Sequence, residues 1–291
     1  MRTKTKIRLA SAACRFIVFF RYLLGRGHKA VVTRGGIRWD LDLYEGIDFA
    51  IYLLGVFERT TVKTYDKLLS PGDTVLDIGA NIGAHTLFFA RAVGTQGRVI
   101  AFEPTAYAYR KLIRNISLNP ALEPRIRAEQ VMLSDQGHSS PCPALYSSWS
   151  LSNTKASRHP KHLGQKMDTT GATGERLDDC VIRLGLRRID FIKIDVDGNE
   201  CAVLGGGQQT LKNCRPKILM EFMPYGLEES GHSLEELMAL LNSASYKIFS
   251  VPHLVPLPED PEELGKLIPG GSSINVLCLP DSIQLDEYKN T

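Results

Sequence analysis

The chain has 291 residues, of which 43% are hydrophobic and 23% are charged. This balance excludes a disordered chain, a collagen-like chain and a polytopic membrane protein. The six cysteines form no CxxC pair and no tight cluster with histidines, so neither a zinc site nor a disulfide framework is expected. We therefore expect a globular protein with a large core in a reducing compartment, the cytoplasm.

The charge is distributed unevenly along the chain. The net charge is +3, yet residues 1–30 contain eight basic residues and no acidic one. The remaining residues carry 27 basic and 32 acidic side chains, a net charge of −5. An acidic body disfavours a broad nucleic-acid-binding face. We therefore expect no nucleic-acid partner and place any anionic partner at the N-terminus.

The N-terminal segment, residues 1–30, contains an apolar run at 9–24 that Arg15 and Arg21 interrupt. The run is too short and too charged for a transmembrane helix, and no signal-peptide cleavage pattern follows it. Two interpretations remain open. One is a basic amphipathic helix that makes peripheral contact with the inner face of a membrane. The other is a helix packed against the main body with its arginines in water.

Residues 31–72 are predicted to form an extension that precedes the main domain. Strands at 30–33 and 37–43 form a hairpin that turns at Gly35 and Gly36. A helix is predicted at 58–69, before the Pro71-Gly72-Asp73 turn.

The main domain, residues 73–291, alternates short apolar strands with helices. The strands are predicted at 74–78, 98–102, 126–133, 189–194 and 217–221, and the helices at 84–93, 106–119, 177–185 and 202–213. A helix at 233–243 and strands at 246–251 and 273–279 follow. This order indicates an α/β fold with a mostly parallel central sheet flanked by helices. Two polar stretches, 134–174 and 252–271, are predicted to be irregular, and the first is long enough for a substrate loop.

The most informative segment is the strand and turn of residues 75–83, VLDIGANIG. Gly79 allows a tight turn and Gly83 allows close packing at the start of the next helix, so backbone N–H groups are expected to face a ligand. The glycine spacing differs from the G-x-G-x-x-G of NAD proteins, and Asp77 stands where a carboxylate would face a cation or an amine. A nicotinamide dehydrogenase is therefore the weakest alternative.

A second acid, Glu103, follows the next strand and lies 20 residues after Gly83. A carboxylate at the end of the second strand can accept hydrogen bonds from both hydroxyls of a ribose. The order and spacing of the two motifs therefore predict an adenosyl ligand.

Further acids follow two later strands. Asp195, Asp197 and Glu200 come after one strand, and Glu221 ends the next. Because the carboxyl ends of parallel strands border one crevice, we expect these acids in the same cleft as Asp77 and Glu103. Asp195 and Asp197 could bind a divalent cation or position a substrate hydroxyl. One of Asp197 and Glu200 is expected to serve as a helix-start residue, and metal dependence stays open.

Six segments together resemble the FkbM family of S-adenosylmethionine-dependent methyltransferases: VLDIGANIGAHTLFFA, VIAFEP, YRKLIRNISLN, ERLDD, FIKIDVDGNECAVLGG and PKILMEF. The resemblance covers roughly residues 74–222. It implies a Rossmann-like, seven-stranded class I methyltransferase fold with S-adenosyl-L-methionine as cofactor. It also implies O-methylation of a small-molecule hydroxyl, on a sugar, glycan or polyketide. The family commonly has Asp-Val-Glu-Gly where this chain has Asp-Val-Asp-Gly at 195–198, which leaves the contact of Asp197 open.

The resemblance implies roles for individual residues. The residues expected to hold the methionine moiety are Asp77, Gly79, Ala80, Asn81 and Gly83. Glu103, with Pro104 beside it, would hold the ribose, Asp135 would contact the adenine edge, and Asp195 would lie beside the transferred methyl group.

The general base has four candidates: Asp195, Asp197, His85 and Lys193. We rank Asp195 first, because it would lie by the methyl group and catalysis would consist of positioning and proton removal. His85 is equally a helix-start residue that faces the cofactor. Lys193 lies inside a buried strand, where a lysine is more often a salt-bridge partner than a base.

Two residues are assigned to the acceptor. Trp149 lies among hydroxyl side chains of the 134–174 stretch and offers an aromatic face to a carbohydrate, and Glu221 ends a neighbouring strand. The alternative for Trp149 is a surface loop with one tucked tryptophan.

Two other functions stay open. A methyltransferase acting on RNA is disfavoured by the acidic body and by the absence of an Asn/Asp-Pro-Pro-Tyr motif. A catalytically silent fold could bind the cofactor or a protein partner without transferring a methyl group. The oligomeric state also stays open.

Overall fold

The computed structural model describes residues 3–137, 142–147, 151 and 164–283. Its strands are β1 (Lys29–Arg34), β2 (Ile37–Asp42), β3 (Thr74–Ile78), β4 (Arg98–Phe102), β5 (Ile126–Glu129), β6 (Val131–Leu133), β7 (Leu145–Ser147), β8 (Gln165–Met167), β9 (Thr173–Glu175), β10 (Phe191–Ile194), β11 (Lys217–Phe222), β12 (Tyr246–Ser250) and β13 (Ile274–Pro280). Its helices are α1 (Thr3–Leu23), α2 (Gly46–Leu54), α3 (Arg59–Leu68), α4 (Thr86–Ala92), α5 (Ala106–Ser117), α6 (Leu177–Arg183), α7 (Glu200–Gly205), α8 (Gln208–Cys214), α9 (Pro224–Glu229), α10 (Leu234–Ser243) and α11 (Pro261–Leu267). None of these described helices combines the length and apolar composition needed to cross a membrane.

The central sheet has seven strands in the order β5-β4-β3-β10-β11-β13-β12. Strands β5, β4, β3, β10 and β11 are parallel, and β13 runs antiparallel to both of its neighbours. The chain moves outward from β3 through β4 to β5 and then returns to the other side of β3 at β10. This reversal places a crevice at the carboxyl ends of β3 and β10. The structure thus confirms the predicted α/β fold and its mostly parallel sheet.

Alternate residues of the central strands enter two hydrophobic cores, one on each face of the sheet. Val75 and Phe191 belong to the core formed with α1 to α5 and the β1–β2 hairpin. Leu76 and Ile192 belong to the opposite core, which is formed with α6 to α8, α10 and α11. Because these strands are covered on both faces, they read in the sequence as nearly continuous apolar runs.

The N-terminal extension packs onto the first of these cores. Cys14 and Val18 of α1 and Trp39 of β2 are buried. Asn115 of α5 accepts a hydrogen bond from Asp40 N at 2.8 Å and donates one to Ile82 O at 2.9 Å. The structure therefore confirms the predicted hairpin and the interpretation of α1 as a helix packed against the body, whereas its contact with a membrane stays a prediction.

Two predicted elements are each divided in two. The strand expected at 126–133 becomes β5 in the central sheet and β6, which pairs with β9. The division follows from the register, because β4 ends where Phe102 pairs with Glu129 and offers β5 no further partner. The helix expected at 202–213 is interrupted at Gly206 and Gly207, and α8 begins after this pair.

The stretches predicted to be irregular contain regular elements. α11 lies within 252–271. Its N-cap residue is Asp260, whose side chain accepts a hydrogen bond from Glu263 N at 2.8 Å. This Asp-Pro-Glu-Glu pattern is a helix start signal that the prediction missed. Strands β7 and β8 form an antiparallel pair within 134–174. Helices α2 and α9 were also missed by the sequence prediction.

Candidate active site

A cavity of about 550 Å³ lies at the carboxyl ends of β3, β4, β10 and β11. This is the crevice that the strand reversal creates, and its volume is within the range of small-molecule sites. Within the described part of the chain, seven carboxylic acids and one lysine line it: Glu58, Glu103, Asp135, Asp195, Asp197, Glu221, Glu229 and Lys193. Such an excess of acid suits a ligand that carries positive charge.

The turn after β3 touches the strand on the other side of the crevice. Gly79 has a positive φ of 79°, and a Cβ atom at this position would overlap the carbonyl oxygen of Asp195. Only glycine fits this close approach. The turn and Asp195 therefore form one continuous wall of the cavity.

The backbone N–H groups of this turn are used within the protein. Gly79 N and Ala80 N both donate to Phe102 O at 3.0 Å, and Gly83 N donates to Ala80 O at 2.9 Å. Asn81 N donates to the carboxylate of Glu103 at 2.9 Å. The expectation that these N–H groups face a ligand is therefore wrong, because they fasten the turn to the neighbouring strand. The turn therefore lines the cavity without offering these N–H groups to a ligand.

Glu103 is buried and fixed by three hydrogen bonds. Its Oε1 accepts from Thr105 N at 2.8 Å and from Thr105 Oγ1 at 2.5 Å, and its Oε2 accepts from Asn81 N at 2.9 Å. A carboxylate offers about four acceptor sites, so roughly one remains for a ligand hydroxyl. Burial raises the pKa of Glu103, although these hydrogen bonds oppose the shift. Pro104 also lines the cavity, beside Glu103.

Asp77 and Gly83 shape the cavity from behind its wall. Asp77 is fully buried, and its Oδ2 accepts a hydrogen bond from Thr86 Oγ1 at 2.5 Å, which attaches the start of α4 to β3. Burial raises the pKa of Asp77. A Cβ atom at Gly83 would lie 2.9 Å from Leu112 Cδ1, so this glycine allows close packing on α5. The contact of both residues with a cofactor stays a prediction.

Lys193 is the cation of the site. Its Nζ lies 3.2 Å from Asp195 Oδ2 and 3.9 Å from Asp77 Oδ1, and its side chain is 5% exposed. Burial alone would lower the pKa of Lys193, but the charges of Asp195, Asp77 and Glu58 outweigh it and raise the pKa. An ammonium group held in this way serves as an ion-pair partner, which is the role that the sequence favoured over a base.

Further carboxylic acids that interact with Asp195 line the cavity. Burial first, and then the charge of Asp195, raises the pKa of Glu58 and raises that of Glu221 well above the usual range. Glu221 also accepts a short hydrogen bond from Ser273 Oγ. Asp197 also lines the cavity, and its side chain is exposed there. The raised pKa of Glu221 favours its protonated form, in which the carboxyl group can donate a hydrogen bond.

His85 lines the cavity as a neutral imidazole. Burial, with the charge of Lys193, lowers its pKa well below the usual value. Its Nδ1 is 3.4 Å from Tyr65 Oη, and its Nε2, which has no hydrogen-bond partner among the described residues, is 3.8 Å from Glu58 Oε2. A neutral imidazole nitrogen without a partner can accept a proton, so His85 remains a candidate base beside Asp195.

Glu200 acts at the start of α7. Its Oε1 accepts from Gly198 N at 3.3 Å and from Val196 N at 3.4 Å. Burial raises the pKa of Glu200 to about 7. Between Asp197 and Glu200, Glu200 is therefore the helix-start residue that the sequence anticipated, whereas Asp197 faces the cavity.

The positions of the donor atoms bear on the divalent metal that the sequence left open. Among the described residues, three metal-binding side chains bring their ligand atoms within 4.8 Å of one another at Cys201, His232 and Glu236. None of these three residues lines the cavity described above. Asp195 and Asp197 belong to no such group in the described residues, and metal dependence stays open.

The 134–174 stretch borders the cavity through its described parts. Asp135 is exposed and lines the cavity, as do Leu145 and Tyr146 of β7. Trp149 lies outside the described residues, so its assignment to the acceptor stays a prediction.

The sequence prediction missed one part of the wall, which comes from the N-terminal extension. Ile47, Phe57 and Glu58 line the cavity. Glu58 has a left-handed backbone with a φ of 49°, and Asn275 Nδ2 of β13 lies 3.5 Å from its Oε2. A non-glycine residue in this conformation is uncommon and is often found at functional sites. The sequence gives no sign of the contact between Glu58 and Asn275, because the two residues are 217 positions apart.

Comparisons with known proteins agree with this geometry. A family model described as the methyltransferase FkbM domain matches residues 77–248. The 2-O-methyltransferase NoeI of Sinorhizobium fredii (strain NBRC 101917 / NGR234) is 30% identical over 199 residues, which cover 63% of this chain and 79% of that protein. The methyltransferase sdnD of Sordaria araneosa is 30% identical over 204 residues, which cover 62% of this chain and 78% of that protein.

Solved structures also resemble this chain. The methyltransferase FkbM from Methylobacillus flagellatus KT shares 16% sequence identity with it, with a TM-score of 0.44. The match covers 77% of this chain and 56% of that chain.

Proposed function

Because the chain belongs to the FkbM family of S-adenosylmethionine-dependent methyltransferases, we propose that it methylates a hydroxyl oxygen of a sugar or glycan acceptor. The observation that carries this proposal is the position of Asp195. Its backbone touches the Gly79 turn, and its carboxylate lies beside Lys193 and interacts with Glu58 and Glu221. A hydroxyl between the two halves of the cavity would therefore meet Asp195.

The half of the cavity that contains Gly79, Asn81 and Glu103 is proposed to hold the cofactor. The remaining acceptor site of Glu103 can take a ribose hydroxyl. The acidic lining favours the cationic form of the cofactor over its neutral product. When it is bound, S-adenosylmethionine supplies a methyl group on a positively charged sulfur.

The half that contains Glu58, Glu221 and Asp197 is proposed to hold the acceptor. Carboxylic acids with raised pKa values both donate and accept hydrogen bonds, which suits a ligand with several hydroxyl groups. Asp195 would take the proton of the reacting hydroxyl as the oxygen–carbon bond forms and the sulfur–methyl bond breaks, and Lys193 orients Asp195 through their ion pair. The name of NoeI, a 2-O-methyltransferase, supports transfer to oxygen.

The experiment that tests this proposal uses the full chain, methyl-labelled S-adenosylmethionine and a panel of sugar, glycolipid and polyketide hydroxyl acceptors. The expected result is one added methyl group per acceptor, located on oxygen by mass spectrometry and nuclear magnetic resonance. Label found on nitrogen, on carbon or on RNA would contradict the proposal. So would cofactor binding without transfer to any acceptor in the panel.

A matched pair of variants separates the two halves of the cavity. Glu58→Gln should raise the KM for the acceptor and leave the affinity for S-adenosylhomocysteine unchanged. Exposed Glu123→Gln should change neither quantity. Loss of S-adenosylhomocysteine binding in Glu58→Gln would place Glu58 in the cofactor half instead.

A further inference from the structure

Helix α1 is fixed to the body of the protein along one face. The buried side chains of this face are Cys14 and Val18, and Cys14 Sγ donates a hydrogen bond to Leu43 O at 3.0 Å. At the other end of the helix, Arg21 donates to Gly27 O at 2.9 Å and to Lys29 O at 3.0 Å. The helix is therefore held in one orientation, and its opposite side faces outward.

That outward side does not contact the body of the protein, and yet its large side chains are apolar. Five large side chains at helical spacing are between 47% and 74% exposed, and we call them the outer face: Phe16, Phe19, Phe20, Leu23 and Leu24. The rings of Phe16 and Phe20 lie 4.7 Å apart, and those of Phe19 and Phe20 lie 5.5 Å apart. A clustered, exposed apolar surface of this kind marks an interaction site.

The charge around the outer face selects its partner. Residues 1–30 carry eight basic side chains and no acidic one, and Arg15, Arg26 and Lys29 beside the outer face are exposed. A second copy of the chain would bring two segments of the same charge together. An anionic lipid surface instead offers negative headgroups to the basic residues and acyl chains to the phenylalanines and leucines.

We propose that the outer face of α1 binds the surface of an anionic lipid bilayer, with the helix lying in the plane of the headgroups. The inner face keeps its contacts with the body, so the protein is held at the bilayer as a unit. Helix α2 contacts α1 through Tyr52 and Arg21, exposes Leu53 and Leu54, and contributes Ile47 to the cavity wall. The attachment therefore involves the part of the protein that borders the active-site cavity. The proposal stands independently of the acceptor.

The test is sedimentation of the full chain with vesicles of phosphatidylcholine alone and with vesicles that also contain phosphatidylglycerol. The chain should sediment with the anionic vesicles and remain in solution with the neutral ones. The double variant Phe16→Ser, Phe20→Ser should bind the anionic vesicles about tenfold more weakly or worse, since each apolar side chain removed reduces the buried area. Ile182→Ser, at an exposed apolar residue of α6, is the matched control and should bind like the unaltered chain.

A second measurement keeps the test decisive if the double variant folds poorly. Phe19→Trp adds an indole to the outer face, and bromine-labelled acyl chains in anionic vesicles should quench its fluorescence relative to the unaltered chain. Absence of this added quenching would overturn the proposal, as would equal binding by the double variant. A lipid-free dimer that the double variant dissociates would assign the outer face to a second copy, and binding to RNA but not to vesicles would assign it to a nucleic acid.

Discussion

The two halves of the cavity are built by different means. The proposed cofactor half depends on two backbone positions of the turn after β3: Gly79 approaches the carbonyl oxygen of Asp195, and Asn81 N donates a hydrogen bond to the Glu103 carboxylate. The acceptor half is defined by side chains that come from distant parts of the chain, among them Glu58 and Glu221. Backbone contacts tolerate little change, whereas side chains can be exchanged one at a time. A substitution at Gly79 should therefore be tolerated less well than one at Glu58.

The largest effect is expected from Gly79→Ala. The added Cβ overlaps the Asp195 carbonyl, and a clash of this kind costs about 4 kcal/mol or more, on the order of a 10³-fold loss of affinity for S-adenosylhomocysteine. Calorimetric titration measures the affinity, and thermal unfolding reports the fold. Gly72→Ala is the control, because Gly72 also has a positive φ, 93°, but a Cβ atom there meets nothing within 4 Å. Equal binding by the two variants would show that the contact is dispensable.

Asp195→Asn should separate chemistry from binding. The amide keeps the shape of the side chain but cannot take the proton of the acceptor, so we expect kcat to fall by about 10²- to 10⁴-fold. The affinity for S-adenosylhomocysteine should change far less. Asp179→Asn, at an exposed position of α6, should leave both unchanged. If Asp195→Asn retains full turnover while His85→Gln does not, the base is His85.

Glu103→Gln should weaken the cofactor half to a smaller degree. The amide nitrogen cannot accept the hydrogen bonds that Asn81 and Thr105 donate. Loss of one hydrogen bond to a charged group costs about 1.5 to 3 kcal/mol, or roughly 10- to 100-fold in affinity for S-adenosylhomocysteine. The acceptor KM should stay within error, measured at saturating cofactor. Retained affinity in this variant would assign the adenosyl group to another part of the cavity.

The smallest effect is a change in stability with pH at Glu221. Burial raises the pKa of this side chain well above its unfolded value, so the folded state binds the proton more tightly. Its contribution to stability is therefore present at low pH and is lost as the pH rises from the unfolded pKa toward the folded pKa. Gln mimics the protonated form, so Glu221→Gln should gain thermal stability relative to the unaltered chain between pH 5 and pH 8.

This gain should amount to a few degrees, since about 1 kcal/mol corresponds to roughly 2–4 °C in a domain of this size. Exposed Glu259→Gln is the control and should show a difference in melting temperature that does not depend on pH. A pH-independent difference for Glu221→Gln as well would contradict the raised pKa.

Local patterns in the sequence predicted the strands on either side of the Gly79 turn. The bounds of β3 and β4 match the predicted strands at 74–78 and 98–102, because short apolar runs between turn residues leave few alternatives. The positions of Gly79 and Glu103 follow from the same local pattern. The sequence analysis assigned the N–H groups of the turn to a ligand. It could not show that these groups donate hydrogen bonds to β4 and to Glu103 instead.

The sequence by itself determined the alternation of strands and helices, the family and the residues that follow β3, β4 and β10. It did so because these features depend on backbone geometry over a few neighbouring residues. Only the tertiary structure decided that Glu58 and Asn275 meet at the cavity and that Asp77 lies behind its wall. These placements depend on the order of strands in the sheet and on the packing of the extension, and both join residues that are far apart along the chain.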